Sequence, residues 1–221
     1  MPKVTDEYIA NKKQAIVDAA YRVCLRKPVE MVTMIDVIDE AGLSRGGIYR
    51  FYNDLDEILC DMVMDMRGKY PLAQRFSELM NDTAGRSWQE VLRLSVEILA
   101  DFMEEHLMDI QKINFDLTVL TINEPERAEH IMGGLKGRGN MEYLARVALP
   151  MMYECAVAQG CVPKVSPEEL DGFVGASFAG IEKNCILTAC YGHKDEYHAE
   201  PRPLLRTLAT TIICLLGGTE E

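Results

Sequence analysis

The chain has 221 residues, 48% of them hydrophobic, enough for one or two globular domains and too many for a disordered segment. No charge-poor apolar run approaches the roughly 18 to 20 residues of a membrane helix; the longest, Leu208 to Leu216, contains Thr210 and Thr211, so no membrane is expected among the partners. The net charge of -12 is unevenly spread: residues 1–50 hold eight Lys/Arg and seven Asp/Glu, a net +1, and the other 171 hold fifteen and twenty-eight, a net -13. A near-neutral end on an acidic body suits a protein that meets a polyanion at one end only.

Helical periodicity runs along the whole chain, whereas period-2 alternation is missing and no Asn-Gly or Asp-Gly hairpin turn joins alternating runs, so the fold is expected to be all-α. A first helix is expected from about Thr5 to Arg26, with Ile9, Ile16, Ala20, Val23 and Cys24 inward, stopped by Pro28. The run Thr33-Met34-Ile35-Asp36 fits a capping box that opens a second helix, and Gly42 ends it. Ser44 caps a short third helix, which makes a helix-turn-helix by spacing. Asp54 or Asn53 caps a fourth from about Leu55 to Lys69. Longer helices follow: one marked by Trp88 to Phe102, and one from Ile110 to Ile122 that is apolar nearly all round. The stretch from Glu126 to Gln159 is helical but broken by GGLKGRG at 133–139, read as a joint because it lacks a phosphate-loop pattern, and Pro150 adds a kink or break. Ser166 caps a helix reaching about Tyr191, and a last one spans about Pro203 to Leu216.

The nine residues Ser44 to Tyr52 read SRGGIYRFY. Placed in a major groove, Ser44 can donate to a phosphate, and Arg45 can pair bidentately with guanine O6 and N7. Gly46 and Gly47 let the backbone approach the sugar–phosphate rail. Tyr49 offers a hydroxyl to a phosphate or a ring to a thymine methyl, and Arg50 a base or phosphate contact. Ile48, Phe51 and Tyr52 are expected to pack inward. Two glycines early in a helix cost roughly 1 kcal/mol each relative to alanine, a cost that a purely structural corner has no reason to carry.

From Thr33 to Tyr52 the sequence TMIDVIDEAGLSRGGIYRFY resembles the signature of the TetR/AcrR family of bacterial transcriptional regulators. The likeness covers roughly residues 10–60, and the remainder fits only in architecture. It implies a three-helix DNA-binding head over 1–54, a connecting helix over 55–70, and an effector-binding and dimerisation domain over 71–221. It further implies a homodimer on double-stranded operator DNA, joined through its last two long helices and released when a small effector changes the spacing of its heads. Thr33, Ser44, Arg45, Gly46, Tyr49 and Arg50 fall on positions that face DNA in the family. Gly47, counted with them, stands where a small hydroxyl or alanine is common, which removes a phosphate contact. Leu55 stands where a lysine commonly reaches a phosphate, and Asp54, Asp56 and Glu57 flank it, so DNA binding is expected to be weak and salt-sensitive unless Lys3, Lys12 and Lys13 compensate.

Further along, Met103, Asn114, Phe115, Thr118, Met152 and Tyr153 are candidate walls of a pocket for an apolar or amphipathic effector, against the alternative that each is ordinary core. Gly172, Gly175, Ala176, Ala179 and Gly180 form a stripe of small residues that lets two helix backbones meet, either across a four-helix dimer interface or within the monomer's own core. The seven cysteines include no CxxC pair and are read as buried free thiols, with a sensor pair at Cys155 and Cys161 as the alternative. The four histidines are scattered, so neither a metal nor another cofactor is expected. The N-terminus has no apolar core of a secretory signal, which points to a microbial cytoplasm. An enzyme is disfavoured because no nucleophile–base pair, metal spacing or phosphate loop emerges. A regulator-like fold that acts through protein partners stays open as the rival.

Overall fold

The computed structural model describes residues 5–69, 72–83, 85–132, 148–191 and 198–219. Every regular element among them is helical. They fall into two compact units, one from Met1–Tyr70 and Lys112–Lys136, the other from Pro71–Gln111 and Gly137–Glu221.

The first unit holds α1 (Asp6–Arg26), a 3-10 turn (Val29–Met31), α2 (Met34–Ala41), α3 (Arg45–Ile48), α4 (Leu55–Lys69), α7 (Lys112–Asn123) and α8 (Pro125–Met132). The Thr5 hydroxyl caps α1 by accepting the Tyr8 N–H. Its buried face begins at Ile16 and continues through Val17, Ala20, Val23 and Cys24; Ile9, expected inward, is exposed. That face packs on α2 through Val37 and Ile38 and on α4 through Ile58, Leu59 and Met62. The α7 helix packs on the 3-10 turn, and α8 packs on α4. Its expected all-round burial holds for Ile113, Leu117 and Leu120 but not for Ile122, which is 75% exposed. The helices α7 and α8 therefore share a core with the N-terminal helices, although in sequence they follow elements of the second unit.

The second unit holds α5 (Leu72–Asn81), α6 (Trp88–His106), a π turn (Leu107–Gln111), α9 (Leu149–Ala158), α10 (Pro167–Tyr191) and α11 (Pro201–Leu215). A capping box between Ser87 and Glu90 opens α6, and Pro150 lies in the first turn of α9, where its missing N–H costs nothing. The α6 helix packs on α5, α9 and α11, and α10 packs on α11. Arg202 of α11 bonds Glu97, Asp101 and Glu104, one i, i+4, i+7 row of α6, and so fixes the register of the two helices.

All seven cysteines are free. Only Cys24 and Cys185 are buried, which corrects the expectation of a buried set: Cys190 and Cys214 are exposed, because they stand on outward sides of α10 and α11. Burial pushes the Cys24 thiol up to about 12. The segment GGLKGRG, His193 and Lys3 lie outside the described residues.

Candidate nucleic-acid interface

The helix-turn-helix is built from local chemistry. Asp36 N–H donates to the Thr33 hydroxyl at 3.3 Å, and Thr33 N–H donates to the Asp36 carboxylate at 2.7 Å, the reciprocal capping box. The Thr33 hydroxyl also donates to Asp36 at 2.7 Å, so its proton is committed inside the head. Lys27 closes on the same carboxylate at 2.7 Å; with the Thr33 bonds it holds the Asp36 carboxyl down to about 2. At the other end of α2, Gly42 adopts φ 63°, where a side chain would be strained, and its N–H and that of Leu43 satisfy the carbonyls of Asp39 and Ile38. Glu40 meets Arg22 at 2.6 Å and Arg26 at 2.5 Å, which ties α2 to α1.

After the turn, Ser44 accepts the Gly47 N–H at 3.1 Å, which leaves the serine proton free to donate outward. The helix α3 is a single turn, shorter than a helix reaching Tyr52; its two glycines disfavour extension, and the chain continues by turns through Phe51. Arg45, Gly46, Tyr49 and Arg50 are exposed, and neither arginine makes an ion pair among the described residues. A Cβ on Gly46 would meet nothing within 4 Å, whereas one on Gly47 would stand 3.2 Å from the Ser44 hydroxyl oxygen. Ile48 and Tyr52 are buried. The Tyr52 hydroxyl donates to Asp61 at 2.8 Å, and Lys13 lies 4.6 Å from the Tyr52 ring centre and 3.7 Å from Asp61. Lys13 is thus engaged within the head, while Lys12 lies 5.8 Å from the Tyr8 ring centre.

The acidic residues at the start of α4 are also engaged. Glu57 N–H donates to Asp54 at 2.9 Å, and Asn53 returns two bonds to Glu57, so the pair caps the helix. Asp56 accepts from Arg127 of α8 at 3.0 and 3.3 Å. Arg127 has no signal in the sequence, since it is 71 positions from its partner. Part of the carboxylate field beside Leu55 is cancelled by this guanidinium.

No protein-family model matches the chain. Over 57 residues it is 42% identical to the uncharacterized HTH-type transcriptional regulator YfiR of Bacillus subtilis, a match spanning 26% of this chain and 28% of that relative. Along nearly its whole length the chain superposes on a regulatory protein in the tetR family from Rhodococcus RHA1, with TM-score 0.61, 14% identity, and 95% of this chain and 98% of that one covered. The chain has the TetR-family fold. It also superposes on the FadR repressor of Thermus thermophilus in complex with lauroyl-CoA, with TM-score 0.55, 16% identity, and 95% and 97% covered. All three are described as regulators or repressors.

In this TetR fold the second unit encloses a cavity of about 90 Å³ among α5, α6, α9, α10 and α11. Of the six candidate pocket residues, Met152 lines it. Met103 is fully buried, and the Tyr153 hydroxyl donates to the Val165 carbonyl at 3.1 Å. Asn114, Phe115 and Thr118 belong to the first unit, where the exposed Thr118 donates to the Asn114 carbonyl of its own helix. Four of the five stripe residues, Gly172, Gly175, Ala176 and Ala179, are exposed along α10, and Gly180 is half-buried. Among the described residues no helix is long and apolar enough to cross a membrane.

Proposed function

We propose that the chain is a ligand-responsive transcriptional regulator, a repressor that binds a palindromic operator as a homodimer and is released by a small apolar or amphipathic molecule. The observation that carries this reading is the pair of exposed arginines, Arg45 on α3 and Arg50 in the turn that follows it, neither with an ion pair among the described residues. Guanidinium groups left without carboxylates on a protein of net charge -12 are free to meet phosphates and guanine edges. The reading assigns the head to residues 1–54, the connecting helix to 55–70 and effector binding and dimerisation to 71–221, with 112–132 packed in the head's unit. The exposed Gly172, Ala176 and Ala179 of α10, one i, i+4, i+7 row outside the cavity lining, support pairing with a second copy, which a reader of a two-fold site requires. The apolar cavity supports a small effector. A DNA reader of this kind works in the cytoplasm.

The test is selection of duplexes from a random pool by the purified protein, then titration of the best one at several salt concentrations. A palindrome with a steep salt slope is expected, weakened by about 1–3 kcal/mol in Arg45→Ala. No enrichment at low salt defeats the reading. A second reading, action through protein partners with weak DNA binding, is favoured by Leu55 beside the exposed Asp54. Under it, Leu55→Lys raises DNA affinity from a low starting value; full affinity in the unmodified protein excludes it.

A further inference from the structure

The cavity of the second unit has one ionisable group among the described residues that line it, Asp171. Leu92, Val96 and Leu99 of α6, Met152 of α9 and Leu208 of α11 make the remainder largely hydrocarbon. Its one hydroxyl, on Ser95, already donates to the Val91 carbonyl at 2.8 Å and has no proton to spare for a ligand. On α10 the lining residues Asp171, Val174, Gly175 and Phe178 follow i, i+3, i+4, i+7 spacing and form one face. Phe178 is buried, but Asp171 and Gly175 are exposed, so the cavity opens to solvent past these two. A Cβ on Gly175 would meet nothing within 4 Å, which keeps that opening clear. Asp171 has no ion-pair partner among the described residues. One turn beyond Phe178 the same face carries a second acid, Glu182, half-buried and likewise without a partner among the described residues.

We propose that this cavity takes a small amphiphile with a compact apolar body and a cationic amine head, the ammonium pairing with the Asp171 carboxylate at the mouth. The body gains by leaving water for hydrocarbon walls. The volume, about 90 Å³, is smaller than the roughly 150 Å³ of an apolar cavity that takes benzene, which limits the body to a short alkyl chain unless the walls yield. An anionic head would meet Asp171 with no guanidinium or ammonium on the described wall to offset it, whereas an ammonium gains by Coulomb attraction at the same place. The proposal deepens the reading of this unit as the effector-binding part and rests on it.

The test compares n-hexylamine, 1-hexanol and hexanoate, each titrated calorimetrically into the full-length protein at low salt, with operator release followed separately. Hexylamine is expected to bind at least about fivefold more tightly than hexanoate, with hexanol between them. Asp171→Asn brings the three within about twofold and leaves hexanol unchanged. Gly175→Leu, which fills the opening, removes binding of all three. The proposal is overturned if hexanoate binds as well as the amine, if Asp171→Asn keeps the preference, if Gly175→Leu still binds the amine, or if none of the three binds. Amine binding that depends on Asp171 without operator release leaves the proposal standing and defeats the repressor-release reading. Operator release by hexanoate at concentrations where hexylamine gives none does the reverse.

Discussion

Arg127 of α8 holds Asp56, near the start of α4, with its Nε 3.0 Å from one carboxylate oxygen and 3.3 Å from the other. Both side chains are about one-quarter exposed, at 23% each, so the pair is neither a solvated surface contact nor a fully desolvated one. Removing the guanidinium leaves a half-shielded carboxylate close to Asp54 and Glu57. Arg127→Ala is expected to lower stability by about 1–2 kcal/mol, between the values for exposed and buried pairs. The urea midpoint of the full chain measures it. Adding Asp56→Asn to Arg127→Ala should restore part of the loss, because the uncompensated charge is then gone. A midpoint unmoved by Arg127→Ala would show that the pair contributes nothing.

The Arg127–Asp56 pair also marks what the sequence could reveal and what it could not. The capping box at Thr33 and Asp36, the left-handed Gly42 and the Ser44 cap are all contacts within four residues, so short-range rules reach them. Arg127 finds Asp56 only after α8 packs on α4, and Glu40 finds Arg22 and Arg26 only after α2 packs on α1. The helix α5, with Phe76 fully buried, has no cap signal after Pro71 and gave no separate expectation. Polar residues on α7 suggested a pocket, but a threonine there satisfies itself by donating to the carbonyl four residues back, as Thr118 does to Asn114. Polarity on an apolar helix is therefore weak evidence for a cavity.

Gly46 and Gly47 are neighbours with different surroundings. Alanine at 46 adds a methyl in open space and removes glycine's conformational freedom, so Gly46→Ala is expected to raise stability by up to about 1 kcal/mol. Alanine at 47 gains the same propensity, but its methyl stands 3.2 Å from the Ser44 hydroxyl oxygen, which must move a few tenths of an ångström. Gly47→Ala is expected to stay within about 0.5 kcal/mol of the wild type. If α3 lies against DNA, Gly46→Ala weakens operator binding while it strengthens the fold. Thermal midpoints and operator titration of the two variants separate these effects; a Gly46→Ala protein that gains stability and keeps full affinity places position 46 away from the duplex.

Asp36 predicts an acid limb for the head. The Lys27 ammonium, with the Thr33 bonds, lowers its carboxyl from the ordinary aspartate value of 3.8 to about 2. A depressed acid binds more protons unfolded than folded, so its contribution is present above about 3.8 and is lost as pH falls through about 2. Asp36→Asn is expected to be the less stable protein at neutral pH, with the gap to wild type narrowing between about pH 4 and 2. Thermal midpoints across that range measure it; a gap that stays constant would mean that the Asp36 charge is not what stabilises the cap.

Glu182 has the opposite sign. Burial pushes its carboxyl from 4.5 up to about 7, and no partner among the described residues offsets the loss of water. A raised acid binds more protons folded than unfolded, so the fold is favoured below about 4.5, and that contribution is lost as pH rises through about 7. Glu182→Gln keeps the shape and removes the charge. It is expected to match the wild type near pH 4.5 and to become progressively more stable than it toward pH 8, with most of the divergence complete just above 7. Denaturant midpoints of the two proteins at matched ionic strength give the comparison. Parallel curves would mean that the Glu182 charge is solvated in the native protein, and a wild type that is the more stable at pH 8 would mean that a cation holds it.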